Sequence, residues 1–198
     1  MRPIRNYFNS GLNMGHRHGK HTFTERDVQV LVKSSGKTEN EIRQWYEEFR
    51  KESDGADRMN KRQFQSYYTK LKQNTKLEEI TDHIFRVFDT DHSGTIDFSE
   101  FLIAYLATTV GSSRQKFEYA FELFDINENE KIERKEAEKM LSIICRIIGV
   151  SQEDAKLYTT TIMLSFDTNQ DKIITREEFV TGCLHDSTLG EIVNAFNL

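Results

Sequence analysis

The sequence has almost no proline: the only one, Pro3, lies at the start of its 198 residues. Because proline interrupts helices and removes a backbone donor, its absence leaves the chain free to be helical nearly throughout. The chain also lacks an apolar run long enough to cross a membrane, and it shows no apolar core of a signal peptide. We therefore expect a cytoplasmic protein.

Cysteine is also scarce, since only Cys145 and Cys183 are present, both on apolar faces of predicted helices. We expect buried thiols in a reducing compartment. A strong excess of one charge is missing as well, because the net charge is −5 with 30% charged residues, and this composition does not favour a nucleic-acid partner. The sequence shows no nucleophile–base arrangement and no phosphate-binding loop, so it predicts a protein that is not an enzyme.

What the sequence does contain is a stretch with the ligand order of a calcium loop, from Asp89 to Glu100 (loop 2). Oxygen-bearing side chains occupy loop positions 1, 3, 5 and 9, a backbone carbonyl is available at 7, and a glutamate closes the loop at 12: Asp89, Asp91, Ser93, Asp97, Thr95 and Glu100. Gly94 stands at position 6, where the chain must turn sharply. Hard oxygen ligands at this spacing suit Ca²⁺ and indicate an EF-hand rather than a solvated acidic turn.

Similar loops recur along the chain. They begin at Glu52, Asp89, Asp125 and Asp167, at spacings of 37, 36 and 42 residues. This internal repeat predicts an all-α fold of four EF-hand helix–loop–helix units that pair two by two. The residues at position 8 should form short strand contacts, Met59 with Ile96 and Ile132 with Ile174.

The last two loops keep most of the calcium ligands. Loop 3 (125–136) offers Asp125, Asn127, Asn129, the Lys131 carbonyl, Glu133 and Glu136; loop 4 (167–178) offers Asp167, Asn169, Asp171, the Ile173 carbonyl, Thr175 through water, and Glu178. Both have a side chain at the turn, Glu130 or Lys172, and a positive φ there costs about 1–2 kcal/mol, equivalent to about tenfold in affinity. We expect loop 2 to bind most tightly and loops 3 and 4 to bind in a useful range, the alternative being metal-free loops that support the pair.

The first loop, 52–63, keeps the apolar pattern without the ligands. Ala56 offers no side-chain oxygen at position 5, and a neutral Gln63 replaces the closing acid. We expect this loop to keep the fold and bind no ion.

These elements predict the organisation of the chain. A flexible basic tail (1–23), for which a transit peptide is a minor alternative, precedes an N-terminal EF-hand pair (24–108), a hinge (109–113), a C-terminal pair (114–186) and a C-terminal helix (187–198). That last helix should start with a capping box of Thr188 and Glu191. Its apolar face (Leu189, Ile192, Val193, Phe196) either covers its own pair or competes with a partner.

The helix Glu41–Phe49, with its Trp45-Tyr46-x-x-Phe49 pattern, the disabled loop after it and the spacing of the repeats resemble the neuronal calcium sensor family. The resemblance covers residues 24–198 and implies an N-terminal groove that takes up a target helix and that a C-terminal segment can shield. The groove wall would be Trp45, Tyr46, Phe49, Phe64, Tyr68, Phe85, Phe88 and Phe101. Family members begin Met-Gly and are myristoylated, whereas this chain begins Met1-Arg2-Pro3, so membrane association would be indirect.

We therefore expect a calcium sensor, a monomer or weak dimer, that binds two to three Ca²⁺ and exposes an aromatic groove to a helical segment of a target protein. Two alternatives stay open. A calcium buffer would bind the ion and barely open. A regulatory subunit of an enzyme, similar to calcineurin B, is favoured by the short connection between loops 3 and 4.

Overall fold

The computed structural model describes residues 23–194 and residue 196. The described residues form ten α-helices, one 3-10 helix and four three-residue strands. In chain order these are α1 (Glu25–Ser35), α2 (Glu39–Glu52), β1 (Arg58–Asn60), α3 (Lys61–Lys72), the 3-10 helix (Thr75–Leu77), α4 (Glu78–Phe88), β2 (Thr95–Asp97), α5 (Phe98–Thr109), α6 (Ser113–Phe124), β3 (Lys131–Glu133), α7 (Arg134–Ile148), α8 (Gln152–Phe166), β4 (Ile173–Thr175), α9 (Arg176–His185) and α10 (Ser187–Val193). The predicted all-α fold is confirmed, and none of the described helices is long and apolar enough to span a bilayer.

Local capping sets the start of the first two helices. At α2, the Thr38 hydroxyl accepts from the Glu41 backbone N–H at 3.3 Å, and the Glu41 carboxylate accepts from the Thr38 N–H at 2.8 Å. This reciprocal pair satisfies two backbone donors that a helix start leaves open. α1 begins behind Thr24 and ends at Gly36, whose φ of 68° is a conformation that glycine adopts without strain.

The loops meet in pairs through short antiparallel strands. β1 pairs with β2 so that Met59 faces Ile96, and β3 pairs with β4 so that Ile132 faces Ile174. All four side chains are buried. The predicted pairing is confirmed, and it brings each loop back to back with its neighbour.

The two pairs are joined by a tight connection, because α5 runs to Thr109 and α6 begins at Ser113. Gly111 is required here by close approach, since a Cβ at this position would lie 2.2 Å from the Ala107 carbonyl oxygen. The connection between the two helices is therefore three residues long, shorter than the predicted hinge at 109–113. Motion at this hinge stays a prediction.

A polar contact also links the pairs. Arg86, on α4 of the N-terminal pair, donates to the carbonyls of Glu122 and Leu123 at 2.7 and 3.2 Å, at the last turn of α6 in the C-terminal pair. The same guanidinium lies 3.4 Å from the carboxylate of Glu128 in loop 3. A cation at a helix C-terminus satisfies open carbonyls and opposes the helix dipole, so Arg86 fixes α4 against α6.

The C-terminal helix differs from its prediction in two ways. Its N-cap is Asp186, whose carboxylate accepts from the Leu189 N–H at 3.0 Å, so the capping box of Thr188 and Glu191 is wrong. An aspartate two residues earlier caps the helix first. The helix also ends at Val193, with Asn194 as its C-cap. α10 contacts α9 and α7 of the C-terminal pair, and Gly190 lies so close that a Cβ would be 2.7 Å from the Cys183 carbonyl oxygen.

A histidine on α4 makes stability depend on pH. Burial, then the positive charges of Lys139 and Arg86, lower the pKa of His83 from 6.5 to about 4, while Asp82 opposes them. The folded state therefore holds His83 neutral while the unfolded chain takes up a proton, and stability is lost as pH falls from about 6.5 to about 4. We expect His83→Gln to lose less stability than the wild type over this range.

The measurement is urea unfolding of both proteins at pH 7.5, 6.0 and 5.0. The acidic groups titrate in both proteins, so only the difference between their midpoints reports on His83. If the difference between the two urea midpoints is the same at all three pH values, His83 makes no such contribution.

Candidate calcium sites

Loop 2 is organised by backbone N–H groups that point at its carboxylates. Asp89 accepts from the N–H groups of Ser93 and Gly94, each at 2.9 Å. Glu100 accepts from the N–H of Thr90 at 3.0 Å through one oxygen and from the N–H of Asp97 at 3.0 Å through the other. The first and last acids of the loop are thus held facing its interior.

Loops 3 and 4 repeat this pattern. In loop 3, Asp125 accepts from the N–H groups of Asn129 and Glu130 at 3.0 and 2.9 Å. In loop 4, Asp167 accepts from Asp171 and Lys172 at 3.2 and 2.9 Å. The closing acids Glu136 and Glu178 accept from the N–H groups at positions 2 and 9 of their own loops. The three loops therefore share one backbone frame, which accommodates the predicted ligand sets in the same order.

The turn at position 6 has the expected backbone. Gly94, Glu130 and Lys172 have φ values of 78°, 63° and 68°, so the two loops without glycine do hold a side chain in the left-handed region. The structure adds a second left-handed position that sequence reasoning missed, at position 4: His92, Glu128 and Gln170, with φ between 55° and 62°. None of these three residues is glycine, so the sequence gives no signal for this turn. Because all three loops have the same backbone strain at position 4, this strain does not rank their calcium affinities.

Loop 2 brings its acids closest together. Asp89, Asp91 and Glu100 each offer an oxygen within 4.8 Å of the others, and no second group of three acidic, histidine or cysteine ligands occurs among the residues that the structure describes. Burial, and then the negative charge of Asp97, raise the pKa of Glu100 to about 8. Burial also raises the pKa of Asp89. Crowded, desolvated carboxylates of this kind are the environment that a divalent cation relieves.

Loop 4 is electrostatically different. Burial alone would raise the pKa of Glu178, but hydrogen bonds from Thr175 and Thr168 outweigh it and lower the pKa to about 2. These hydrogen bonds therefore stabilise the ionised form of the closing carboxylate without a cation nearby. The two closing carboxylates therefore differ in environment, and the tightest binding by loop 2 stays a prediction.

The first loop is held by side-chain hydrogen bonds, one within the loop and one from α2. The Gln63 amide donates to the Asp54 carboxylate at 2.9 Å, and the Tyr46 hydroxyl donates to Asp57 at 2.5 Å. Its left-handed residues are Asp54 and Gly55, so the turn falls at positions 3 and 4 instead of 4 and 6. The different turn and the missing acid both support the prediction that it binds no ion.

The predicted groove wall is not an open surface in this conformation. Six of its residues are at most 7% exposed and form the core of the N-terminal pair: Phe49, Phe64, Tyr68, Phe85, Phe88 and Phe101. Only Trp45 and Tyr46 are half-buried, and Phe23 covers Tyr46 with its ring centroid 4.3 Å away. The rings pack against one another when the helices are closed, so the groove that should open on calcium binding stays a prediction.

Paired helix–loop–helix units with this order of oxygen ligands define the EF-hand class of calcium-binding proteins. Models of an EF-hand domain pair match residues 62–107 and 114–184. Human recoverin is 32% identical over 84% of this chain and 86% of its own length, and calcium-binding protein NCSA of Dictyostelium discoideum is 33% identical over 69% and 70%. The guanylyl cyclase inhibitory protein of Lithobates pipiens is 25% identical over 77% of each chain.

The chain belongs to the neuronal calcium sensor family. Like the EF-hand proteins it resembles, it binds Ca²⁺ and is a calcium sensor.

The order in which the loops fill can be tested by removing one closing carboxylate at a time. Isothermal calorimetry of Glu100→Gln, Glu136→Gln and Glu178→Gln should show that only Glu100→Gln weakens the tightest binding step. The loss of affinity should be at least about tenfold. Loop 1 should contribute no site. A tightest step that survives Glu100→Gln, or a wild-type stoichiometry of four, would contradict this ranking.

Proposed function

We propose that the protein binds two to three Ca²⁺, in loop 2 and in loops 3 and 4, and in response exposes aromatic surface of its N-terminal pair to a helical segment of a target protein. The observation that carries the proposal is the position of Glu100. This residue closes loop 2 and at the same time lies in the first turn of α5, so any change in its coordination moves the helix that follows it.

The start of α5 is joined directly to the aromatic core. Phe101, the next residue, has its ring centroid 5.7 Å from those of Phe49 and Tyr105 and 5.2 Å from that of Tyr67. Phe98, at the start of the same helix, contacts Phe49 at 5.5 Å. A shift of α5 therefore separates Phe98 and Phe101 from Phe49 and Phe101 from Tyr67, while Tyr105 moves with the helix, and this is how a buried core becomes a binding surface.

The end of the chain partly covers this core from the other side. The Phe196 ring stacks on Phe88 at 6.4 Å and meets Tyr119 of α6 edge-on at 6.3 Å. The Lys72 ammonium on α3 donates to the Phe196 carbonyl. Phe196 thus bridges the two pairs, while α10 itself packs on the C-terminal pair. We infer that Phe196, and not Leu189, Ile192 or Val193, competes with a target.

The target is proposed to be a protein that the sensor regulates. One relative is named a guanylyl cyclase inhibitory protein, which is consistent with a regulatory role for this chain and with no catalytic activity of its own. A calcium buffer remains a second candidate, since the closed, fully packed core of the N-terminal pair is also what a protein that does not open would show.

Replacing Phe196 tests this proposal. Phe196→Ala should tighten binding of a fluorescent amphipathic peptide, with leucines at i, i+3, i+4 and i+7, by about threefold to tenfold at saturating Ca²⁺, because a tethered competitor is removed. The same variant should raise the fluorescence of an anilinonaphthalene sulfonate dye in the calcium state. Fluorescence anisotropy and dye titration provide the two readouts.

Leu164→Ala is the matched control, because Leu164 is 78% exposed and lies on α8, away from this contact. It should change neither readout. If Phe196→Ala lowers the melting temperature and leaves peptide affinity unchanged, Phe196 has a purely structural role. If the wild type shows no rise in dye fluorescence at any Ca²⁺ concentration, the protein is a buffer.

A further inference from the structure

The first loop reaches into the calcium site of the second. Arg58, at position 7 of loop 1, pairs in register with Asp97 of loop 2. One guanidinium nitrogen lies 3.1 Å from both the Ser93 and the Thr95 hydroxyl oxygens. The other lies 3.7 Å from the Asp97 carboxylate. The side chain is 27% exposed, so this positive charge is held beside the loop and is only partly screened by water.

The contact places a fixed cation against a proposed ligand, since Ser93 supplies position 5 of loop 2. In the ion-free state the guanidinium offsets part of the negative charge that the loop collects. When the loop holds a dication, the same guanidinium repels it. The attraction to the carboxylates is present with and without the ion, so the repulsion from the bound dication is what weakens calcium binding.

The C-terminal pair arranges its charges differently, because its arginine, Arg176 of α9, pairs with Glu130 of loop 3, which is not one of the predicted ligands. The residue in register there is Lys131 of loop 3, whose exposed side chain faces Thr175, a neutral residue. Arg58 differs from Arg176 in contacting Ser93, a predicted ligand, and it joins the loop without ligands to the loop with the densest carboxylates.

We propose that Arg58 is an affinity-determining residue of loop 2: the loop that has lost its own ion supplies a fixed positive charge that weakens calcium binding by its partner. The proposal rests on the proposed function only in requiring that loop 2 binds Ca²⁺. It gives the first loop a role beyond preserving the fold, because it sets the calcium concentration at which the sensor responds.

The test isolates loop 2 in the full chain by combining Glu136→Gln with Glu178→Gln. In this background, Arg58→Met, which keeps the apolar stem and removes the charge, should tighten calcium binding by about threefold to tenfold, as expected for a partly screened charge beside a dication. Arg58→Lys keeps the charge and should stay within about twofold of the background. Calorimetry gives the affinity, and stopped-flow release into a chelator should show slower dissociation for Arg58→Met.

Salt and a matched charge deletion separate this effect from general electrostatics. The gain from Arg58→Met should shrink between low salt and about 0.5 M salt, because screening weakens the charge that was removed. Arg62→Met removes an exposed arginine four residues further along the same unit and should leave the affinity within about twofold.

Unchanged or weaker binding by Arg58→Met would overturn the proposal, since the arginine would then only order the loop through its hydrogen bonds. An equal gain from Arg62→Met would overturn it as well, by assigning the effect to net charge. If the background protein itself shows no calcium binding, loop 2 is not a site, and the proposed function fails before Arg58 is tested.

Discussion

The properties of the N-terminal pair depend on the carboxylates that loop 2 holds close together. Asp89, Asp91 and Glu100 each offer an oxygen within 4.8 Å of the others, and burial, followed by the charge of Asp97, raises the pKa of Glu100. Backbone N–H groups at both ends of the loop hold the acids in place. Because Glu100 is also part of α5, the electrostatics of the loop and the packing of the aromatic core are joined in one residue.

The three loops with the ligand order of a calcium site share a backbone frame and differ in charge environment. Loop 2 has a glycine at its turn and an arginine from its neighbour, while loop 4 has a lysine at its turn and threonine donors on its closing acid. Loop 3 has Glu130 at its turn, and the carboxylate of Glu130 pairs with Arg176 of α9 at 2.7 Å. Such contacts let one fold carry sites of different affinity without any change in the ligand spacing.

Periodic and local features were predictable from the sequence. The register of Met59 with Ile96 followed from the repeat, and the cap at Thr38 has the sequence pattern of a capping box with Glu41. Three features were not. Asp186 is the N-cap of the C-terminal helix because two capping residues competed for that position. The closed packing of the aromatic rings depends on the conformation of the helices. The Arg58 contact joins residues that lie 35 to 37 positions apart. Strand register does predict that last neighbour once position 7 of one loop is compared with position 9 of the next.

The central claim, that calcium in loop 2 moves α5 and opens the aromatic core, can be observed without a label. Trp45 is the only tryptophan of the chain, it is half-buried, and its ring lies 5.7 Å from that of Tyr105 on α5. Tryptophan emission recorded along a calcium titration should shift with the tightest binding step of the wild type, and that shift should be lost in Glu100→Gln. An identical shift in both proteins, or saturation of the wild type without any shift, would contradict the account.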